Sequence, residues 1–155
     1  MASRSSSCTP RISLAPWSSW SRPDPMPEIA FLGEPESGSP RPFSAATVAA
    51  GLVFVSGHSA PHDPERGLHR GETPADEVRN ALGRIAEILA EAGSSLDRVV
   101  QMTMLISDPA DYAACNAEYV RHFPAGLPAR HTARFGVPTQ ARVAFSCIAL
   151  AGSAS

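Results

Sequence analysis

Lysine is missing altogether: all thirteen basic side chains are arginine. A Schiff-base lysine, of an aldolase or of a pyridoxal-phosphate enzyme, is thereby excluded. Cysteine is scarce. Cys8, Cys115 and Cys147 are odd in number and share no Cys-x-x-Cys spacing, so neither a disulfide framework nor a structural zinc site is indicated, no metal or organic cofactor is expected, and a reducing, cytoplasmic setting fits. No apolar run approaches the roughly 18 residues of a membrane span, and no secretory apolar core opens the chain. Clustered positive charge is absent as well, and the formal net charge is −2. Nucleic acid and anionic membranes are therefore not expected partners, which leaves small-molecule chemistry or protein contact. One further absence is local: no Asp or Glu occurs after Glu118.

What remains is 155 residues, 43% of them hydrophobic, enough for one domain with a real core. Residues 1–42 are crowded with Pro, Ser and Gly and sustain no periodicity, so they are expected to be a mostly disordered tail ahead of a domain at 43–151. Glu28–Leu32 is a candidate for one short strand within that tail. The first 23 residues are Ser- and Arg-rich and free of acids. That composition is shared by organellar transit peptides and by a start misassigned upstream of Met26.

Ser44–Ala50 and Leu52–Ser56 are strand-like runs separated by Gly51, the pattern of a hairpin. His58–Gly71, with two Pro and two Gly, suggests an exposed loop. Thr73-Pro74-Ala75-Asp76 then combines a hydroxyl N-cap, Pro at the first helical position and an early carboxylate. Val78, Ala81, Leu82, Ile85, Ile88, Leu89 and Ala92 continue it as one apolar stripe, which Gly93 ends. Val99–Ser107 is a third strand, Asp108–Asp111 caps a second helix running to about Phe123, and Arg130–Val137 and Arg142–Leu150 close the chain as strands. The order β-β-α-β-α-β-β gives an α+β domain whose helices cover one sheet face.

Several strings between Pro42 and Leu150 carry a resemblance: Leu52-Val53-Phe54-Val55-Ser56-Gly57, Ala92 through Val100 at the helix exit, Tyr112–Tyr119 with Asn116 inside it, and above all Pro128-Ala129-Arg130. They are similar to the corresponding strings of the RidA (YjgF/UK114) family of imine and enamine deaminases. The resemblance implies a six-stranded mixed sheet with two helices on one face, associating as a homotrimer with a ligand cleft at each subunit boundary. It implies that Arg130 grips the carboxylate of a 2-imino or 2-enamino acid, a task for which the planar guanidinium fork suits and lysine does not. Without that context, a sheet-edge salt bridge would be the ordinary role of such an arginine.

Thr132 falls two residues on and faces the same side of a strand. Ser56 and Gly57 resemble the strand end that closes the cleft, though Gly57 also suits a plain turn, and Asn116 matches a helix residue near the pocket. Two positions depart from the family. Phe43 stands where many relatives have a tyrosine, keeping the aromatic wall without its hydroxyl. The glutamate that deaminating relatives carry on the last strand is absent: counting back from Pro138 puts Ala144 there, and counting forward from Arg130 puts Phe145 there. His58 is the candidate replacement, since an imidazole titrates near neutral pH, with an ordinary loop histidine as the alternative. His131 would point to the other sheet face, and His62, His69 and His122 are expected in solvent. Cys115 and Cys147 suit buried structural thiols better than nucleophiles.

The resemblance thus implies hydrolysis of a small carboxylated imine or enamine to a keto acid and ammonia, with Arg130 and His58 as catalytic candidates and Thr132, Asn116, Phe43, Ser56, Gly57, Ala144 and Phe145 lining the site. Two alternatives stand beside it. One is a specialised enzyme that tautomerises or cyclises an unstable enamine. The other is a non-hydrolytic, ligand-binding or regulatory trimer, favoured by the missing acid.

Overall fold

A computed structural model of the protein describes residues 28–33 and 42–152. The tail expected at 1–42 mostly falls outside the described residues. The part that is described forms β1 (Ala30–Leu32), which pairs antiparallel with β2 (Ala46–Ala49) through Phe31 and Thr47. The candidate strand in the tail is therefore present, and the sheet takes in residues ahead of position 43.

β2 and β3 (Leu52–Ser59) form the expected hairpin. Both central turn residues lie in the left-handed region, Ala50 at φ 50° and Gly51 at φ 74°, as the tight turn matching strand twist requires. An alanine there costs about 1 kcal/mol that glycine or asparagine avoids. Ala50→Gly should accordingly raise the urea midpoint slightly with no change of slope; a lowered midpoint would mean the turn is not held in this conformation.

α1 (Pro74–Glu91) begins where the cap residues placed it. The Thr73 hydroxyl accepts from Asp76 N at 3.2 Å while the Asp76 carboxylate accepts from Thr73 N at 3.1 Å, satisfying two helix-end donors reciprocally. Its C-terminus closes with Gly93 at φ 69° and a Ser94 N–H donating to Leu89 O at 2.7 Å. β4 (Val99–Ile106) follows. A short 3₁₀ turn at Pro109–Asp111, capped by the Asp108 side chain, then leads into α2 (Tyr112–Arg121). β5 (Ala129–Arg134) runs parallel to β4 and β6 (Val143–Leu150) antiparallel to it.

The six strands make one mixed sheet in the order β1-β2-β3-β6-β4-β5, with α1 packed on β3 and β6 and α2 packed on α1. The core lies between helices and sheet: Val78, Leu82, Ile85, Ile88 and Leu89 of α1 meet Val53, Met102, Met104 and Phe145 of the strands. Burying each such side chain contributes about 1.5–3 kcal/mol. Among the described residues no helix covers the opposite face, and its Phe54 and Leu150 are 40% and 44% exposed.

β3 runs longer than the sequence suggested. It reaches Ser59, so His58 belongs to a strand and is buried rather than sitting in an exposed loop. A bulge between Val55 and His58 lets this happen: Val55 pairs with Cys147 and His58 with Phe145, leaving Ser56 and Gly57 as the irregular stretch.

Candidate active site

Arg130 pairs across β5 and β4 with Met102, and Thr132 with Met104, residues whose side chains enter the core under the helices. Both therefore face α2. Its guanidinium lies over the Tyr119 ring, 4.5 Å from the centroid, and its Nη2 donates to Asn116 Oδ1 at 2.6 Å and to the Tyr112 hydroxyl at 3.5 Å. Tyr112, Asn116 and Tyr119 fall at positions i, i+4 and i+7 of α2, one stripe of that helix. The helix stripe and the strand edge thus hold the guanidinium between an amide, a phenol and an aromatic face. Among the described residues no carboxylate forms an ion pair with it.

The floor beneath is apolar. Tyr119 stacks on Phe145 at 5.9 Å and meets the Phe123 ring at a tilt, 4.8 Å between centroids. Burial pushes its hydroxyl up to about 12. Phe145 is 1% exposed, so it does not line a ligand wall as the sequence suggested; the alternation of β6 turns it into the core, where it supports Tyr119. Ala144, its neighbour, points to the helix-free face, paired with Ser59 and with Leu105. Within one chain Ala144 and Arg130 consequently lie on opposite faces of the sheet.

A second group gathers on β3. Phe43, Gly57 and His58 line an open depression of about 290 Å³ together with Ser59, Arg70 and Arg84. The His58 Nε2 lies 3.2 Å from Ala45 O. Ser56 is also engaged, its hydroxyl donating to Ser44 O at 2.7 Å. This ties β3 to the segment that carries Phe43 and leaves the hydroxyl no second proton to donate. β6 and β4 separate β3 from β5, about 14 Å at the usual strand spacing. The residues expected to form one site are therefore brought together as two: Arg130, Thr132 and Asn116 at the β5–α2 edge, and Phe43, Gly57 and His58 at the end of β3.

Tyr112 and Tyr119 were not among the site residues expected from the sequence. Their spacing from Asn116 was the available signal, but only the packing of α2 against β5 turns it into a site. Other side chains are committed elsewhere. Glu118 is buried and bridged by Arg79 at 3.1 Å, Arg121 at 3.5 Å and His122 at 3.5 Å. His131 is exposed on the far face, as expected from alternation. Burial pushes the Cys115 thiol up to about 11 and the Cys147 thiol to about 12, so neither supplies a thiolate near neutral pH; Cys8 lies outside the described residues. No group of three His, Cys, Asp or Glu among the described residues is placed to hold a metal.

The model of a protein family described as Endoribonuclease L-PSP matches residues 36–150. The chain belongs to this family, which is also the RidA/YjgF family. Among its relatives is Reactive Intermediate Deaminase A, chloroplastic, of Arabidopsis thaliana, 36% identical over 109 residues that make up 70% of this chain and 58% of that protein. The chain thus spans rather more than half the length of that relative. Protein mmf2, mitochondrial, of Schizosaccharomyces pombe is 33% identical over 112 residues, 70% of this chain and 86% of the relative. A solved structure of a YjgF family member from Neisseria meningitidis superposes with a TM-score of 0.68 at 28% identity, covering 82% of this chain and 98% of that one. The RidA-type fold expected from the sequence is what the chain has, a six-stranded mixed sheet with two helices. The names of the first two relatives place them in organelles and give no support to the cytoplasmic setting inferred from cysteine usage. No helix among the described residues is long and apolar enough to cross a membrane.

Proposed function

We propose that the protein hydrolyses small 2-imino or 2-enamino acids to keto acids and ammonia, in a cleft where Arg130 binds the carboxylate. The observation that carries this is the state of Arg130: a partly exposed guanidinium held by an amide and an aromatic face, with no acidic partner among the described residues. Such a fork is prepared for an incoming carboxylate, whose two oxygens accept two parallel N–H bonds. A RidA/YjgF relative named as a reactive intermediate deaminase supports the same chemistry.

The cleft is completed by a second copy of the chain. Three copies associating through their helix-free sheet faces would cover Phe54 and Leu150 and bring Phe43, Gly57 and His58 of one copy toward Arg130 of the next, joining two groups that one chain keeps apart. The ribonuclease in the family description is not favoured, because a net charge of −2 supplies no basic track for a phosphate backbone. The domain at 43–151, with β1 added to its sheet, carries the function in this proposal.

A second reading has its own observation. The last strand offers Ala144 or Phe145 where deaminating relatives carry an acid, and Glu118, the final acid of the chain, is held by Arg79, Arg121 and His122. A trimer that binds a carboxylated ligand without hydrolysing it, or tautomerises or cyclises an enamine, needs no such acid. Generating 2-iminopropionate in situ and following keto-acid release separates the readings. Acceleration by the wild-type trimer that Arg130→Ala abolishes supports hydrolysis. Pyruvate binding without acceleration favours the binding role.

A further inference from the structure

We infer that Tyr112 carries the proton in the Arg130 site, donating it to the substrate nitrogen and recovering it from the water that adds to carbon. The inference rests on the deaminase reading above and names the group that stands in for the missing glutamate.

Geometry selects this residue. Its hydroxyl lies 3.5 Å from Arg130 Nη2, and a carboxylate on that guanidinium would place the imine nitrogen, two bonds from the carboxylate carbon, within reach of the phenol. Tyr112 is 41% exposed, open to the solvent side from which substrate and water arrive. The other oxygen and nitrogen acids of the neighbourhood fail on position or commitment. Glu118 is bridged to Arg79, Arg121 and His122. The Ser56 hydroxyl donates to Ser44 O. His58, whether of the same copy or a neighbouring one, is buried with its Nε2 3.2 Å from Ala45 O. The Tyr119 hydroxyl is buried without a hydrogen-bond partner and is pushed up to about 12 by burial, so it cannot ionise in a working pH range.

The surroundings also favour proton exchange at Tyr112. The Asn116 amide, the positive charge and N–H of Arg130, and the Thr132 hydroxyl together hold its phenol below the ordinary tyrosine range. Arg130 from β5 is the charged group facing it. Asp111, one residue earlier, bears instead on Cys115.

The proton balance closes without an added acid or base. Water oxygen bonds to C2 as the C2=N π pair moves to nitrogen, which takes the phenolic proton. The surplus proton of the added water then returns to the phenolate. In the second half the phenol protonates the amine, the C2–N bond breaks with its electron pair leaving in ammonia, and the carbinol O–H proton passes to the phenolate as C2=O forms. One water is consumed, one ammonia is released and Tyr112 is restored.

The test compares wild type, Tyr112→Phe and Arg130→Ala in three measurements: kcat for 2-iminopropionate against pH, pyruvate affinity by calorimetry, and phenolate absorbance against pH. The chain has two tyrosines, so the absorbance of wild type should rise in two steps, the lower belonging to Tyr112 and moving upward when pyruvate occupies Arg130. Tyr112→Phe should lose about 10² to 10⁴ in kcat, retain pyruvate affinity within about threefold, and lack both the lower phenolate step and the fall in kcat at high pH. That fall is expected in wild type because a general acid is spent as pH rises through its pKa. A phenylalanine variant with kcat within threefold of wild type and the same alkaline limb would overturn the role of Tyr112 while leaving deamination intact. A wild-type trimer that binds pyruvate but does not accelerate keto-acid release would overturn the deaminase reading itself, and the proton-transfer role with it.

Discussion

Arg130→Ala is expected to weaken pyruvate or 2-oxobutyrate binding by about 10²-fold or more, while the protein stays folded. Each charge-assisted hydrogen bond contributes about 1.5–3 kcal/mol, and a bidentate carboxylate makes two of them. Since 1.4 kcal/mol is tenfold in affinity, losing both exceeds a hundredfold. The fold loses far less, because the guanidinium is partly exposed and its contact with the Tyr119 ring contributes only about 0.5–1 kcal/mol. Arg130→Lys is the sharper control. It keeps the charge and loses the planar fork, so binding should fall well below wild type. Calorimetric titration checks both variants; affinity within threefold of wild type in the alanine variant would remove Arg130 from the site.

The largest stability effect is expected at Glu77, a buried acid of α1 that is 2% exposed. Its Oε1 accepts from Arg142 N at 2.7 Å and from Val143 N at 3.4 Å, tying α1 to the start of β6. Removing the acceptor takes a hydrogen bond from each of these two backbone donors, and a buried donor left unsatisfied costs about 1–3 kcal/mol. Part of this is recovered because the buried carboxylate is gone. Glu77→Leu should therefore destabilise by about 2–4 kcal/mol in urea unfolding, whereas Glu77→Gln, which keeps a carbonyl acceptor, should stay within about 1 kcal/mol of wild type. Equal stability of the leucine variant would mean that β6 is anchored without this bond. The consequence reaches the site, since β6 carries Phe145, the floor under Tyr119.

Local signals in the sequence were faithful where local physics decides. Thr73, Pro74 and Asp76 capped α1 as their chemistry requires, and Gly51 marked a turn whose two central residues have positive φ. The motif around Pro128-Ala129-Arg130 pointed to an arginine that the structure leaves without an acidic partner among the described residues. What failed needed tertiary information. Phe145 could be assigned to a cleft only by counting, and strand alternation sends it into the core. His58 followed Ser-Gly and invited a loop reading, but the bulge at Ser56 and Gly57 carries the strand past it. Tyr112 and Tyr119 were visible as helix residues, yet nothing in a linear sequence says that α2 lays them against β5. The separation of the candidate site into two groups was equally hidden, because strand order is not written in strand sequence.

The most direct test of the account is a crystal structure of the assembled protein soaked with 2-oxobutyrate, the product-like keto acid. Three copies should be joined by their helix-free faces, with the carboxylate bidentate on Arg130, the Tyr112 hydroxyl beside C2, and Gly57 and His58 of a neighbouring copy closing the cleft. A keto acid bound away from Arg130, for example in the depression lined by Arg70 and Arg84, or an Arg130 covered by the subunit interface, would contradict it.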